Sequence, residues 1–170
     1  MVDALDGDVE TMAVWLKQGG RETLASWGVS GNDLDEGATS RLIRTARRAV
    51  GANTLDWMAS LPLTMRQDGH LCVHAGVRPG VPLERQAEED LLWIRKPFLE
   101  SEDDHGAVVV HGHTIREDGP DIRANRIGID TGAFMTGRLT AFGVEAGDTW
   151  FLSTGAPASA ERRERSAVWA

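Results

Sequence analysis

The sequence predicts an α+β fold, with helices gathered in the first sixty residues and β segments after them. Three observations carry this. Apolar residues recur at helical spacing as far as Ser60. At Leu61 the period changes, and LTMRQ and HLCVHA flank Asp68-Gly69, a strong β-hairpin signal. Beyond the hairpin come VVVHGHT, RIGID, RLTAFGVEAG and TWFLST, short runs rich in β-formers with turn signals between them.

Taken in order, Asp8 caps VETMAVWLKQ, whose Val9, Met12, Ala13 and Leu16 share a face, and Gly19-Gly20 stops it. RETLASWG is a short second helix ending at Gly28. GVSGNDLDEGATS reads as a loop from its Gly, Asn, Asp and Ser content. Ser40 then opens RLIRTARRAV, periodic in Leu42, Ile43, Ala46 and Val50, and a last helix covers about Thr54 to Ser60. After the hairpin a proline-rich loop leads to AEEDLLWIR, a short helix by its acidic first turn and its Leu91, Leu92 and Ile94 cluster. The tail GAPASAERRERSAVWA, rich in Ala, Ser and mixed charge, is expected to be flexible over residues 154–170. No linker divides the chain, so residues 1–153 are expected to form one body.

Composition narrows the function classes. A net charge of −8 over 170 residues argues against a nucleic-acid or anionic-membrane surface, both of which reward clustered Lys and Arg. Cys72 is the single cysteine, which excludes a disulfide framework and a thiolate zinc finger and fits a reducing compartment. The acidic start MVDALDGDVE has no basic and apolar leader pattern, so a cytoplasmic location is expected.

Two strands end in histidine: LCVHAG with His74, and VVVHGHT with His111 and His113. Ligands of open α/β sheets sit beyond the carboxyl ends of strands, and neutral imidazole is the commonest metal ligand. Paired strand-end histidines therefore suggest a metal role for His74 and His113. His70, after the turn, and His105, in the charged loop SEDDH, read as ordinary surface or core residues. Cys72 shares the strand face of His74 by period two and reads as a small buried hydrophobe. A histidine-triad hydrolase is excluded, since Ile115 and Arg116 stand where a third alternating histidine would be.

LCVHAGVRPG, DLLWIR, VVVHGHT and RIGIDTGAFMTGRLTAF, in that order, resemble the C-terminal part of a bacterial phosphoprotein phosphatase of the calcineurin-like metallophosphoesterase superfamily. The resemblance implies an α/β/β/α sandwich, here incomplete, with two divalent ions, often manganese, at the strand ends. It implies hydrolysis of a phosphorylated protein or small phosphoester by metal-activated water. It matches His74 and His113 to two ligands of one ion and Arg95 to the arginine that grips the substrate phosphate, a task suited to a bidentate guanidinium. His111 and Asp130 have no ligand counterpart; they could orient the ligands from behind, and a turn role for Asp130 stands beside that.

The family's Asp-x-His, Gly-Asp-x-x-Asp-Arg-Gly and Gly-Asn-His-Glu stretches are absent. Gly7-Asp8, Gly31-Asn32 and Gly147-Asp148 continue differently. By the resemblance Met1 falls just past Gly-Asn-His-Glu, so the chain reads as begun at an internal methionine or truncated, and inactive alone. Apolar surface at Val108, Val110, Met12 and Leu16 is then expected to be uncovered, beside an unpaired central-type strand. Two further readings are a dinucleoside polyphosphate hydrolase of the same superfamily and a non-catalytic remnant that binds a partner.

Overall fold

A short helix α1 (Val2–Leu5) precedes α2 (Val9–Trp15), which Asp8 opens by accepting the Glu10 N–H at 2.9 Å. In the computed structural model, which describes residues 1–155 and the backbone of 162–164, α2 does not end cleanly at the glycine pair. It runs into a wider π-type turn, Leu16–Gly20, kinked at Gln18 and Gly19, and re-emerges as α3 (Arg21–Ser26). The expected loop after Gly28 contains a further helix, α4 (Gly31–Asp35). Its signal was in the sequence: Ser30 Oγ accepts the Asp33 N–H at 3.3 Å and donates to the Asp33 carboxylate at 2.9 Å, a reciprocal cap of the kind that starts helices. Helix α5 (Ser40–Val50), capped by Thr39, buries the expected Leu42, Ile43, Ala46 and Val50, and α6 (Ala52–Ser60) follows it. Met12, Leu16, Leu24 and Leu34 join that stripe in one apolar core.

The chain divides into two compact units, Met1–Leu61 and Pro62–Ala170. No Gly- or Ser-rich linker marks the junction. It needs none: α6 stops at Ser60, and a proline at 62 holds the preceding residue extended. The break coincides with the change of hydrophobic period.

The second unit opens with the hairpin. Strands β1 (Thr64–Gln67) and β2 (His70–Val73) pair antiparallel, and Asp68 and Gly69 both take positive φ, the geometry that matches strand twist. From β2 the chain passes through α7 (Glu88–Trp93) and α8 (Lys96–Leu99), the latter unforeseen, to β3 (Val108–His111). A short β4 (Asp121–Ile122) precedes β5 (Arg126–Gly128), and the sheet order is β1-β2-β3-β5-β4. Strands β2, β3 and β5 are mutually parallel, with Val73 opposite His111 and His111 opposite Gly128. The short helix α9 (Ala133–Thr136) leads to an antiparallel pair, β6 (Thr140–Glu145) and β7 (Asp148–Ser153). Within the expected flexible tail, Arg162–Glu164 form β8 against β7, while residues 156–161 and 165–170 lie outside the described residues.

Alternation along β2 and β3 sorts their side chains. Leu71, Val73 and Val109 pack with Leu91, Ile94 and Phe98 of the helical layer. His70, Cys72 and Val110 take the other face, where Phe142 of β6 stands with its ring 5.3 Å from that of His70. The expectation of uncovered apolar surface fails at its named positions. Val110, Met12 and Leu16 are buried, Val108 is half-buried, and β3 is paired on both sides. A strand flanked by parallel neighbours on each side has no free edge. Among the described residues no helix is long and apolar enough to cross a membrane.

A candidate metal centre at two strand ends

The site follows from the pairing of β2 with β3. With Val73 opposite His111, the residues just past the strand ends, His74 and Gly112, come together, and the Gly112 N–H donates to the His74 carbonyl at 2.9 Å. The chain then bends sharply. His113 takes φ of +62°, and the Thr114 N–H donates to the Gly112 carbonyl at 2.6 Å. Such a three-residue turn around a non-glycine residue is rare and strained. Backbone strain of this kind clusters where a side chain must be aimed. Here it brings the His113 imidazole beside that of His74, with ring centroids 5.1 Å apart and the planes inclined by 57°.

Trp93, at the end of α7, closes one side. Its indole stands edge-on to His113 at 5.8 Å while remaining mostly exposed. Burial holds the His113 imidazole below its ordinary range, helped by the nearby Arg95 and His74, with Asp130 and the Trp93 carbonyl opposing. A neutral imidazole is the form that ligates.

Arg95 sits between α7 and α8, exposed, and its guanidinium donates to Thr114 Oγ1 at 3.3 Å. Its reach thus extends to the residue next to His113. Asp130 caps the turn before α9 by accepting the Gly132 N–H at 3.0 Å, and its carbonyl accepts from the Arg116 N–H. It is half-buried and lines a cavity together with His74, so the turn role is visible and proximity to the histidine is real.

His111 goes elsewhere. Its ring is buried edge-on against Phe98, 4.9 Å between centroids, and its Nδ1 donates to the Gly112 carbonyl at 3.0 Å. Its imidazole supports the turn that carries His113 by holding the Gly112 carbonyl, which also accepts the Thr114 N–H. His70, read as ordinary from sequence, is buried with Nε2 lacking any partner. His105 rests half-buried on Phe98 at 5.6 Å.

Sequence reading missed three participants: Trp93, Thr114 and the Asp121 cluster. Asp121 collects Arg123 at 3.0 Å, Arg126 at 3.1 Å and Arg116 at 3.8 Å, which ties down the loop that follows the histidine turn. The DLLWIR stretch signalled Trp93, whose polar handle and size suit a partly exposed site wall; no local pattern announced the others.

Among the described residues no group of three or more His, Cys, Asp or Glu side chains is placed to hold an ion. Among the described residues, the His74 and His113 imidazoles are the pair that stands together here. No family model matches the sequence, and no match was found among curated proteins or solved structures.

Proposed function

We propose that this chain forms one wall of a metal-dependent phosphoesterase centre of the serine/threonine protein phosphatase type, within a two-sheet sandwich like that of the calcineurin-like superfamily. The observation that carries the reading is the juxtaposition of the His74 and His113 imidazoles at the ends of adjacent parallel strands, with Arg95 reaching the same turn. His74 and His113 would hold a divalent ion, manganese by the family resemblance. Such an ion supplies a nucleophile from water at neutral pH and draws charge from phosphoryl oxygens.

The chain's own residues perform four tasks. His113 offers a neutral nitrogen because burial, with Arg95 and His74 nearby, disfavours its charged form. His74, exposed past the strand, offers the second. Arg95, held near Thr114, is free to turn its remaining donors to a phosphate, so it binds and orients a phosphorylated peptide or small phosphoester. Trp93 covers one side of His113 and excludes water from that flank.

Two neutral ligands leave most of an ion's coordination positions to water, so affinity is weak. Nothing among these residues serves as an acid for the leaving group, a function worth about 10²–10⁴ in rate. The 170-residue chain is therefore expected to bind Mn²⁺ weakly and to show no turnover of p-nitrophenyl phosphate above buffer. The test is paramagnetic broadening: Mn²⁺ should broaden the ring signals of His74 and His113 first, and His113→Ala should abolish the effect. Equal broadening at His105, or manganese-dependent turnover that survives His113→Ala, would overturn the assignment.

A further inference from the structure

The second unit contains a cavity of about 600 Å³ between the His70 face of the five-stranded sheet and strand β6. Its walls are Cys72, Val110, Ile129, Phe142 and Val144, and it reaches His74 and Asp130 at one end. Met65 and Leu139 also line it, and at 59% and 61% exposed they mark its opening to solvent. The volume lies in the range of small-molecule sites, and such sites are apolar with a few fixed polar groups.

Two lining imidazoles, His70 and His111, are buried with Nε2 unpartnered; the His111 ring packs on Phe98 with its Nε2 beside Gly128, whereas His70 is on the face that meets Phe142 of β6. His70 lines this cavity, is 7% exposed, and its Nε2 has no hydrogen-bond partner. Its Nδ1 lies 2.8 Å from the Asp68 carbonyl oxygen. A carbonyl can only accept, so Nδ1 carries the proton and Nε2 presents a bare lone pair. A buried acceptor left without a donor is unfavourable, and each such group in a folded protein calls for an explanation. Strand geometry makes this one systematic: His70, Cys72 and Val110 share the face that β6 covers only in part.

We infer that this cavity is a binding site for a small molecule with an apolar, ring-sized body and one hydrogen-bond donor, the donor pairing with His70 Nε2. Apolar walls without a polar group would accept any greasy body; the unpartnered His70 acceptor favours molecules that carry an O–H or N–H. Occupancy needs neither a metal ion nor a phosphate, so the site stands or falls separately from the phosphoesterase reading. Its far end beside His74 places an occupant next to the histidine pair.

Cys72, the only thiol, lines the cavity and reports on it. The experiment follows alkylation of Cys72 by iodoacetamide, by intact mass, in the presence of 2-naphthol or 2-methoxynaphthalene, which have the same body with and without a donor. Both should slow alkylation, with 2-naphthol acting at about threefold to tenfold lower concentration, the worth of one neutral hydrogen bond. His70→Phe should bring the two within twofold of each other. On the unaltered protein, the ¹⁵N signal of His70 Nε2 should move with 2-naphthol and stay with the ether, which keeps the test decisive if His70→Phe fails to fold. Absence of protection at millimolar 2-naphthol, equal protection by the two compounds, or an unmoved Nε2 signal would each overturn the inference.

Discussion

Replacing Gly76 of the HAG stretch by alanine tests whether the helical layer holds the histidine strands in place. Gly76 has φ of +155°, and a Cβ built there would lie 2.2 Å from Phe98 Cδ1, 2.6 Å from Cε1 and 2.7 Å from Cγ. Carbon atoms in contact sit about 3.5–4.0 Å apart, so the ring would have to retreat by more than about 1 Å. Phe98 is fully buried and pressed against both His111 and His105, which leaves it nowhere to go. Overpacking of this kind costs about 1–3 kcal/mol, and a backbone region essentially reserved for glycine adds about 1–3 kcal/mol. The expected loss of about 2–6 kcal/mol is large beside a typical domain stability of about 5–15 kcal/mol. Urea denaturation followed through the amide signals of β2 and β3 measures it. Gly112→Ala is the control. Its Cβ would meet nothing closer than the His74 carbonyl oxygen at 3.7 Å and its φ is not positive, so less than about 1 kcal/mol should be lost. In the double variant Gly76→Ala, Phe98→Leu the smaller side chain relieves the clash, and the two changes should be non-additive by at least about 1 kcal/mol. A loss below about 1 kcal/mol for Gly76→Ala, or strict additivity, would refute the packing argument.

Other outcomes follow from the same geometry. His113→Gly should keep or raise stability by about 1 kcal/mol, because it relieves a left-handed conformation costing about 1–2 kcal/mol, while Mn²⁺ broadening at His74 is lost; a urea midpoint that falls by more than the equivalent of 1 kcal/mol would contradict this. Arg95→Ala should leave the urea midpoint unchanged, since Arg95 is exposed with a single long hydrogen bond, yet remove the chemical-shift response of Thr114 to millimolar phosphate. Stability should rise with pH up to the ordinary histidine range and level off above it. Burial lowers the His105 pKa, and Asn125 Nδ2 at 3.4 Å needs its Nε2 as an acceptor, so the folded state binds fewer protons than the unfolded one just below pH 6.5. Stability is complete above that value and is lost as pH falls towards the folded pKa; His105→Gln should flatten that slope in denaturation midpoints taken from pH 5 to 7.

The sequence by itself determined the local elements. Asp8 and Ser30 supplied caps, the stripe of Leu42, Ile43, Ala46 and Val50 supplied a helix face, and Asp68-Gly69 supplied a turn whose two positive φ angles few other pairs tolerate. It also placed histidines at two strand ends, because β-branched runs and period two are local signals. What only the tertiary structure decided was which strands are neighbours and in what register. That β2 lies parallel to β3 with Val73 opposite His111 sets His74 against Gly112, and the pairing is non-local, carried by no short stretch. The same non-local partners buried Val110, Met12 and Leu16 where exposure was expected, and turned His70 from an ordinary residue into an unpartnered acceptor in a cavity. A strand's pattern states which side chains share a face; what covers that face depends on elements forty to seventy residues away. Even the strained turn at His113 belongs to this second kind, since a left-handed imidazole persists only where β3, Trp93 and Thr114 hold it.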